Sequence, residues 1–381
     1  MRKKNLRSFI YGAVCLSVSG FLFCAAAFVS GDLKKQTPAA IEVYDVQGLN
    51  VSMTQAFSFA EGDSFAAAGA GTRAQASDDA QNKTISAYYQ MTTPNYGAYL
   101  NLQFCEGGYF PADGSKEPSA VIPESLFKTL FEEKSGEKIL LVNGREFKVC
   151  GVYKDGGALT QLGSASLPVI YGNAPERTDT PAESLLIKAE AGKTARQQRQ
   201  ETAVAMGIPL EGEMHDLGRL HQLGEALLLL GLFLAGLWFI LRLCIISYQK
   251  LISAYECRES GTQRGSAAVW GVCAFLLAMT GFWLLLQLVR IPAVYLPENN
   301  IFDFAYYGSQ ITGGIQQINA DGRVRDFSRI CAVYLCAETG LLVLAVPLFW
   351  AGCRSLAGEV ISTQGGVILW EQMRTRQKKT L

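Results

Sequence analysis

The chain has little of what site chemistry usually needs. It contains only two histidines, His215 and His221, and none of its ten cysteines stand at Cys-x-x-Cys spacing. The commonest tetrahedral zinc arrangements are therefore excluded. Glu211, Glu213 and Asp216 lie near the histidines, but neither His-x-x-x-His nor a clear carboxylate set accompanies them. That segment reads as a polar stalk, and no metal is expected. No Gly-x-x-x-x-Gly-Lys-Ser/Thr loop is present to cradle nucleotide phosphates, and no Gly-x-Ser-x-Gly elbow to present a nucleophile. The chain is thus not expected to be its own ATPase, to carry catalytic residues or to need a cofactor. Its 34 basic and 34 acidic residues cancel, and no lysine- and arginine-rich face offers itself to nucleic acid.

What the chain does have is apolar length. Four segments, Phe9–Val29, Leu223–Ser247, Ala267–Val289 and Ile330–Trp350, are each about 21 to 25 residues long. At about 1.5 Å rise per residue, such a length crosses a hydrocarbon core of roughly 30 Å. The expectation is an integral membrane protein with four transmembrane helices in a one-plus-three arrangement. The first segment follows Arg2, Lys3, Lys4 and Arg7 and contains Ala25, Ala26 and Ala27, so a cleaved signal peptide is an alternative. A lipoprotein signal at Cys24 is another, opposed by bulky Phe23. The run exceeds a typical signal core, so an uncleaved anchor is preferred and both alternatives stay open.

The zero net charge is a sum of unlike parts. Residues 31–222 carry 17 Lys and Arg against 24 Asp and Glu, a net of minus 7. The N-terminal segment brings four positive charges, the 248–266 loop three against two acids, and the 353–381 tail five against two. The positive-inside rule places those basic stretches in the cytoplasm and the 31–222 and 291–328 segments outside, for an N-in, C-in topology. Arg290 and Arg329 weaken the bias without reversing it. Cys105 and Cys150 are the cysteines of the exported segment; whether they form a disulfide depends on geometry, and a buried thiol pair is the equal alternative.

Within residues 31–222 the pattern predicts a mixed α/β domain. Ile41, Val43 and Val46, then Val51, Met53, Phe57 and Phe59, alternate as half-buried strands. Ala60–Lys83 is Ala-, Gly- and Asp-rich and reads as a mobile loop. Order is expected again at Thr84–Thr92 and Ala98–Phe104, then in a strand at Ala120–Ile122 and a helix from Pro123 to Glu133 with Leu126, Phe127 and Leu130 inward. Pro at the first helical turn costs no hydrogen bond. Ile139–Val142 and Glu146–Tyr153 flank Asn143-Gly144, a strong hairpin signal because both positions tolerate positive φ. Further strands are expected at Leu167–Tyr171 and Ser184–Ala189, and a helix near Thr194–Met206.

Several of these pieces occur together in a known family. The Glu106-Gly107-Gly108-Tyr109-Phe110 turn, Ala120-Val121-Ile122-Pro123-Glu124-Ser125-Leu126, Leu130-Phe131, Gly136-Glu137-Lys138-Ile139 and Asn143-Gly144-Arg145-Glu146-Phe147-Lys148-Val149-Cys150-Gly151-Val152-Tyr153 follow in order. The run Leu102–Asn173 resembles the extracytoplasmic core domain of MacB-type permeases, the mechanotransmission class of ABC transporters. Separately, Arg258-Glu259-Ser260-Gly261-Thr262-Gln263-Arg264-Gly265 is similar to the Arg-Glu-Ile-Gly-x-x-Arg-Ala loop of FtsX-like permeases, with Ser260 where an apolar residue is usual and Ala267 in place of a later glycine.

The two resemblances together imply four regions: residues 1–30 as N-terminus and first helix, 31–222 as MacB-like core domain, 223–352 as FtsX-like transmembrane domain, and 353–381 as a cytoplasmic tail. They imply a non-catalytic permease subunit in the bacterial cytoplasmic membrane, engaged in efflux-type transport. A separate ABC ATP-binding subunit would dock on the 248–266 loop, a second permease copy or paralogue would complete a dimer, and a membrane-fusion adaptor is a further implied partner. Arg258, Glu259, Gly261 and Arg264 would carry the coupling, since charged side chains on a short segment can pair with and steer a partner. Competing readings are a membrane-anchored receptor or scaffold with a sensor domain, and an FtsX-style regulator of cell-wall hydrolases. Two ionisable residues interrupt the helices. Arg242 is expected to snorkel to the inner interface and Glu338 to face a helix contact.

Overall fold

The structure is a computed structural model that describes residues 2–45, 48–59, 65–79, 83–110, 117–131, 137–163, 167–173, 180–190, 192–256, 261–289, 303–319 and 326–364. Val46, the polar stretch Asp113–Lys116, Glu132, Glu133, Gly136 and Arg290 lie outside the described residues. The chain divides into two compact units, one made of residues 1–30, 223–296 and 337–381, the other of residues 31–222 and 297–336.

In chain order the elements are α1 (Arg2–Gln36), β1 (Ala40–Tyr44), α2 (Met53–Phe59), β2 (Phe65–Gly69), β3 (Thr72–Asp78), β4 (Thr84–Met91), α3 (Tyr96–Leu100) and β5 (Phe104–Gly107). There follow β6 (Ser119–Pro123), α4 (Glu124–Phe131), β7 (Ile139–Val142), β8 (Arg145–Tyr153), α5 (Ala158–Gly163), β9 (Val169–Asn173), β10 (Ala182–Lys188) and α6 (Ala195–Met206). The last are β11 (Glu213–Asp216), α7 (Leu217–Glu256), α8 (Gly261–Leu286), α9 (Phe304–Asn319) and α10 (Phe327–Gln364).

The domain unit holds two sheets. The smaller is antiparallel with strand order β11-β1-β10-β2, and the larger runs β5-β8-β6-β9-β4-β3-β7 with β7 pairing back onto β8. That last pairing, Ile139 to Val142 against Lys148 to Arg145, closes six of the seven strands into a ring and leaves β5 as an appended edge. The hairpin that closes it turns at Asn143 and Gly144, with φ of 51° and 80°, the two left-handed residues of a type I′ turn. Ala74, Ala76, Ala87 and Ala120 fill the ring with Leu140 and Ile170, and α4 packs Leu126, Leu130 and Phe131 onto the same core. Small side chains suit so narrow a ring, because a closed sheet of few strands leaves little interior width.

Three of the sequence expectations are corrected here. Met53–Phe59 is a helix, because Ser52 and Gln55 form a reciprocal cap: Gln55 N donates to Ser52 Oγ at 3.2 Å and Ser52 N to Gln55 Oε1 at 3.0 Å. A capping box at Ser-x-x-Gln overrides the alternation of Val51, Met53, Phe57 and Phe59. Ala60–Lys83 is no mobile loop over its described part but contains β2 and β3. Ala66, Ala67 and Ala68 are fully buried, and Ala67 N meets Thr93 Oγ1 at 3.0 Å, so close packing rather than strand propensity holds β2. Likewise Ala98–Leu100 belongs to α3, with the following strand starting at Phe104. Thr194 caps α6 in a capping box with Gln197, and Gly207 closes it at φ 66°.

The Glu106–Phe110 turn is held by close approach. Gly107 has φ +65°, and a Cβ there would stand 2.0 Å from Cys150 O. Tyr109 is seated over Gly97, where a Cβ would meet its ring at 2.2 Å, and shares a 2.6 Å hydrogen bond with Thr92 Oγ1. Burial raises the Tyr109 phenol well above its ordinary pKa, so the hydroxyl stays neutral. Cys105 sits at the irregularity in the β5–β8 ladder. Both thiols of the domain are free: Cys105 Sγ faces Glu124 Oε2 at 3.6 Å and Cys150 Sγ faces Ala120 O at 3.3 Å. The disulfide that the sequence left open is not formed in this structure.

Among the described residues four helices are long and apolar enough to cross a membrane: Arg7–Gln36, Leu217–Tyr255, Gly265–Leu286 and Phe327–Ala357. Where they pack, glycine permits the approach. A Cβ on Gly12 would meet Gly352 O at 3.1 Å, and one on Gly352 would meet Gly12 O at 3.0 Å. Ser8 Oγ and Ser355 Oγ lie 2.9 Å apart and Ser19 Oγ donates to Ala345 O at 2.8 Å. Small residues and interhelical hydrogen bonds are the contacts expected where lipid removes the hydrophobic drive between helices.

Two outcomes are expected. Gly107→Ala destabilises the domain by roughly 2–3 kcal/mol, visible as a lower thermal midpoint of the purified protein; an unchanged midpoint would refute the β5–β8 contact. At pH 8 a brief maleimide pulse labels exposed Cys105 and spares Cys150, whose thiol burial pushes up to about 11. Peptide mapping that found both equally labelled would contradict the burial of Cys150.

Candidate functional site

The coupling residues inferred from sequence fall between the end of α7 and the first turn of α8. Arg258 and Glu259 lie outside the described residues, while Gly261 and Arg264 belong to the first turn of α8. The 248–266 segment is not one loop: α7 continues to Glu256 and α8 begins at Gly261. The extension follows from packing. Ser247 Oγ donates to Gly271 O at 2.7 Å, Leu251 lies over Gly271 and Ala254 is buried. Helix pairing here carries the backbone past the apolar stretch that composition alone marks.

The two intramembrane ionisable residues are in different surroundings. The Arg242 guanidinium lies 5.2 Å from the ring centre of Trp238, one turn earlier on α7, a cation–π contact that helps accommodate a charge in an apolar helix. Glu338 on α10 is fully buried, and neither carboxyl oxygen makes a hydrogen bond of normal geometry among the described residues; the Ser30 hydroxyl is its polar neighbour.

Sequence reasoning missed a polar cluster in the domain unit that ties four helices together. Tyr334 OH of α10 donates to Asp32 Oδ2 of α1 at 2.6 Å and lies 3.0 Å from Thr160 Oγ1 of α5. Beside it, Thr37 gives its single hydroxyl hydrogen to Leu33 O at 2.8 Å. Its oxygen therefore accepts from His221 Nε2, 2.6 Å away on α7, and from the Cys331 thiol at 3.8 Å. His221 and Cys331 are buried, so each of these donors needs the partner it has. No residue spacing announces the cluster, because its members come from chain positions up to 302 residues apart.

Strand β1 follows α1 closely and β11 leads directly into α7, and the two strands are hydrogen-bonded neighbours, Ile41 opposite Asp216 and Tyr44 opposite Glu213. The stretch read as a polar stalk is thus partly a strand. His215 there stacks on Tyr44 with ring centres 5.6 Å apart, and Asp216 caps α7 by accepting from Arg219 N at 3.0 Å. Among the described residues, no group of three or more His, Cys, Asp and Glu is gathered to hold a metal.

The domain also contains a cavity of about 760 Å³, at the ends of β6 and β8 and the start of β9. Its wall is mixed, with Leu102, Leu162 and Leu167 beside Asn101, Gln103 and Lys154. Asp155 also lines it, but its carboxylate is engaged at the start of α4, accepting from Ser125 N at 3.0 Å and Ser125 Oγ at 2.9 Å.

Comparison with known proteins gives a consistent assignment. Residues 15–203 match the MacB-like periplasmic core domain family. The periplasmic region of MacB from Actinobacillus actinomycetemcomitans is similar at 13% identity with a TM-score of 0.39, covering 51% of this chain and 96% of that one. The extracellular domain of the ABC-type transporter YknZ from Gram-positive bacteria is similar at 13% identity with a TM-score of 0.34, covering 46% and 97%. No curated protein matches the chain. Residues 15–203, close to half of the chain, thus carry a MacB-like periplasmic core domain, and the same chain holds membrane-length apolar helices, as expected of a MacB-like ABC transporter permease.

Proposed function

We propose that the chain is the non-catalytic permease subunit of a mechanotransmission ABC transporter, coupling ATP hydrolysis by a separate subunit to movement of its exported domain. The observation that carries this reading is a MacB-like core domain in one chain with four membrane-length helices. The helices cross in a one-plus-three order with both termini in the cytoplasm. The ATP-binding subunit docks at the turn that joins α7 to α8, where Arg258, Glu259, Gly261 and Arg264 form its contact. A second permease copy or paralogue completes the dimer, and an adaptor extends the path in efflux-type members. The compact units part at Ser30/Gly31 and Gln222/Leu223 and group residues 297–336 with the exported domain, which supports the proposed boundaries at 31 and 222 and an external position for the 291–328 segment.

The pairing of β1 with β11 supports this reading. Displacement of α1 relative to α7 acts on adjacent strands, β1 and β11, and a ladder of backbone hydrogen bonds resists shear between them. The two helices cannot slide independently without breaking that ladder, so their relative motion is passed to the small sheet as a whole.

Glu259→Arg is expected to abolish co-purification of an ATP-binding subunit from native membranes while leaving membrane insertion and yield intact, since a reversed charge opposes the steering of the partner. Stoichiometric recovery of the ATPase with the variant would reject the coupling role. Absence of any ATPase from the wild-type complex would favour the receptor or scaffold reading instead.

A further inference from the structure

We propose that the cavity at the ends of β6 and β8 is a binding site for an acidic peptide bearing apolar side chains, and that Tyr334 links its occupancy to α1 and α10. The volume, about 760 Å³, lies in the range of small-ligand sites, roughly 300–1,000 Å³. The wall supplies both halves of the recognition. Leu102 and Leu167 are partly buried and Leu162, on the rim, is 64% exposed, an apolar surface that a ligand side chain would cover. Asn101, Gln103 and Lys154 present exposed polar side chains that form no side-chain hydrogen bond or ion pair among the described residues. Two amides that can both donate and accept suit a peptide backbone, and an ammonium suits a carboxylate. Asp155 does not repel such a ligand at full strength, because both its oxygens already accept from Ser125. Lys154 is the cation of the described lining, and a ligand carboxylate would be placed toward it.

The position of the cavity gives occupancy a consequence. Thr160 of α5 lines it, and so does Gln36, the last residue of α1. The same Thr160 lies 3.0 Å from Tyr334 OH, which donates to Asp32 of α1 at 2.6 Å. A ligand that packs on α5 thus orders one end of a hydrogen-bonded chain whose other members are α10 and α1. This inference does not require the ATPase partner.

The test uses full-length protein in lipid nanodiscs and two probes, acetyl-Leu-Leu-Glu amide and its glutamine counterpart, titrated by ligand-observed NMR. Saturable binding of the glutamate peptide is expected, weakened about tenfold or more by Lys154→Glu and in the glutamine peptide. Leu162→Asp, a change on the exposed rim, is expected to weaken it as well and serves if the charge reversal disturbs folding. Hydrogen exchange then reads the link: the glutamate peptide slows exchange in α5 and in the first two turns of α10, and in Tyr334→Phe the slowing persists in α5 only. No saturable binding, equal affinity for both peptides, or unchanged affinity in both cavity variants would overturn the site. Equal protection of α10 in Tyr334→Phe would overturn the link.

Discussion

Strand β8 is the constraint on which the MacB-like core domain depends. Its first residues pair with β7 and its last with β5 along one edge, while β6 runs parallel on the other. Remove the β7 pairing and the large sheet opens into a ladder with unsatisfied edges; keep it, and six strands close on an alanine-lined interior. Closure is an effective answer to exposed strand edges, and it leaves β5 to be managed separately. The Gly107 contact on Cys150 O and the anchored Tyr109 ring do that by fixing the edge strand and the turn beyond it.

The small sheet obeys a different logic. Its members come from both ends of residues 31–222, with β1 near α1 and β10 and β11 before α7. It cannot form until the whole domain has been made, and it joins the two chain crossings between domain and helices through one hydrogen-bonded pair of strands. The polar cluster of Asp32, Thr37, Thr160, His221, Cys331 and Tyr334 lies among the same helix ends. Backbone ladder and side-chain network both lie within the domain unit.

What could be read in advance depended on how local the cause was. Asn143-Gly144 announces its hairpin because the left-handed turn is a property of those two residues, and the four apolar runs announce helices because their length is set by lipid. Thr194 and Gln197 mark the start of α6 for the same local reason. Ser52 and Gln55 carry an equally local signal that strand alternation hid. The alanines of β2 and β3 could not be placed from composition, because alanine is a weak strand former and these strands exist only where neighbours close over them. The cavity and the Tyr334 cluster were illegible for a plainer reason: their residues meet only after the chain has folded. The coupling motif is the reverse case, visible by resemblance, with Arg258 and Glu259 beyond what the structure describes.

The Gly12–Gly352 crossing bears on how the protein is made. Ser8 and Ser355, which bond across the same helix pair, are 347 residues apart, so α1 leaves the ribosome long before α10 can cover its glycine face. Contacts of such sequence separation form late and carry a closure cost that local pairs avoid. An early helix with an uncovered small-residue face is open to the same face on another nascent chain, which makes the order of translation part of what determines whether the helices pair correctly.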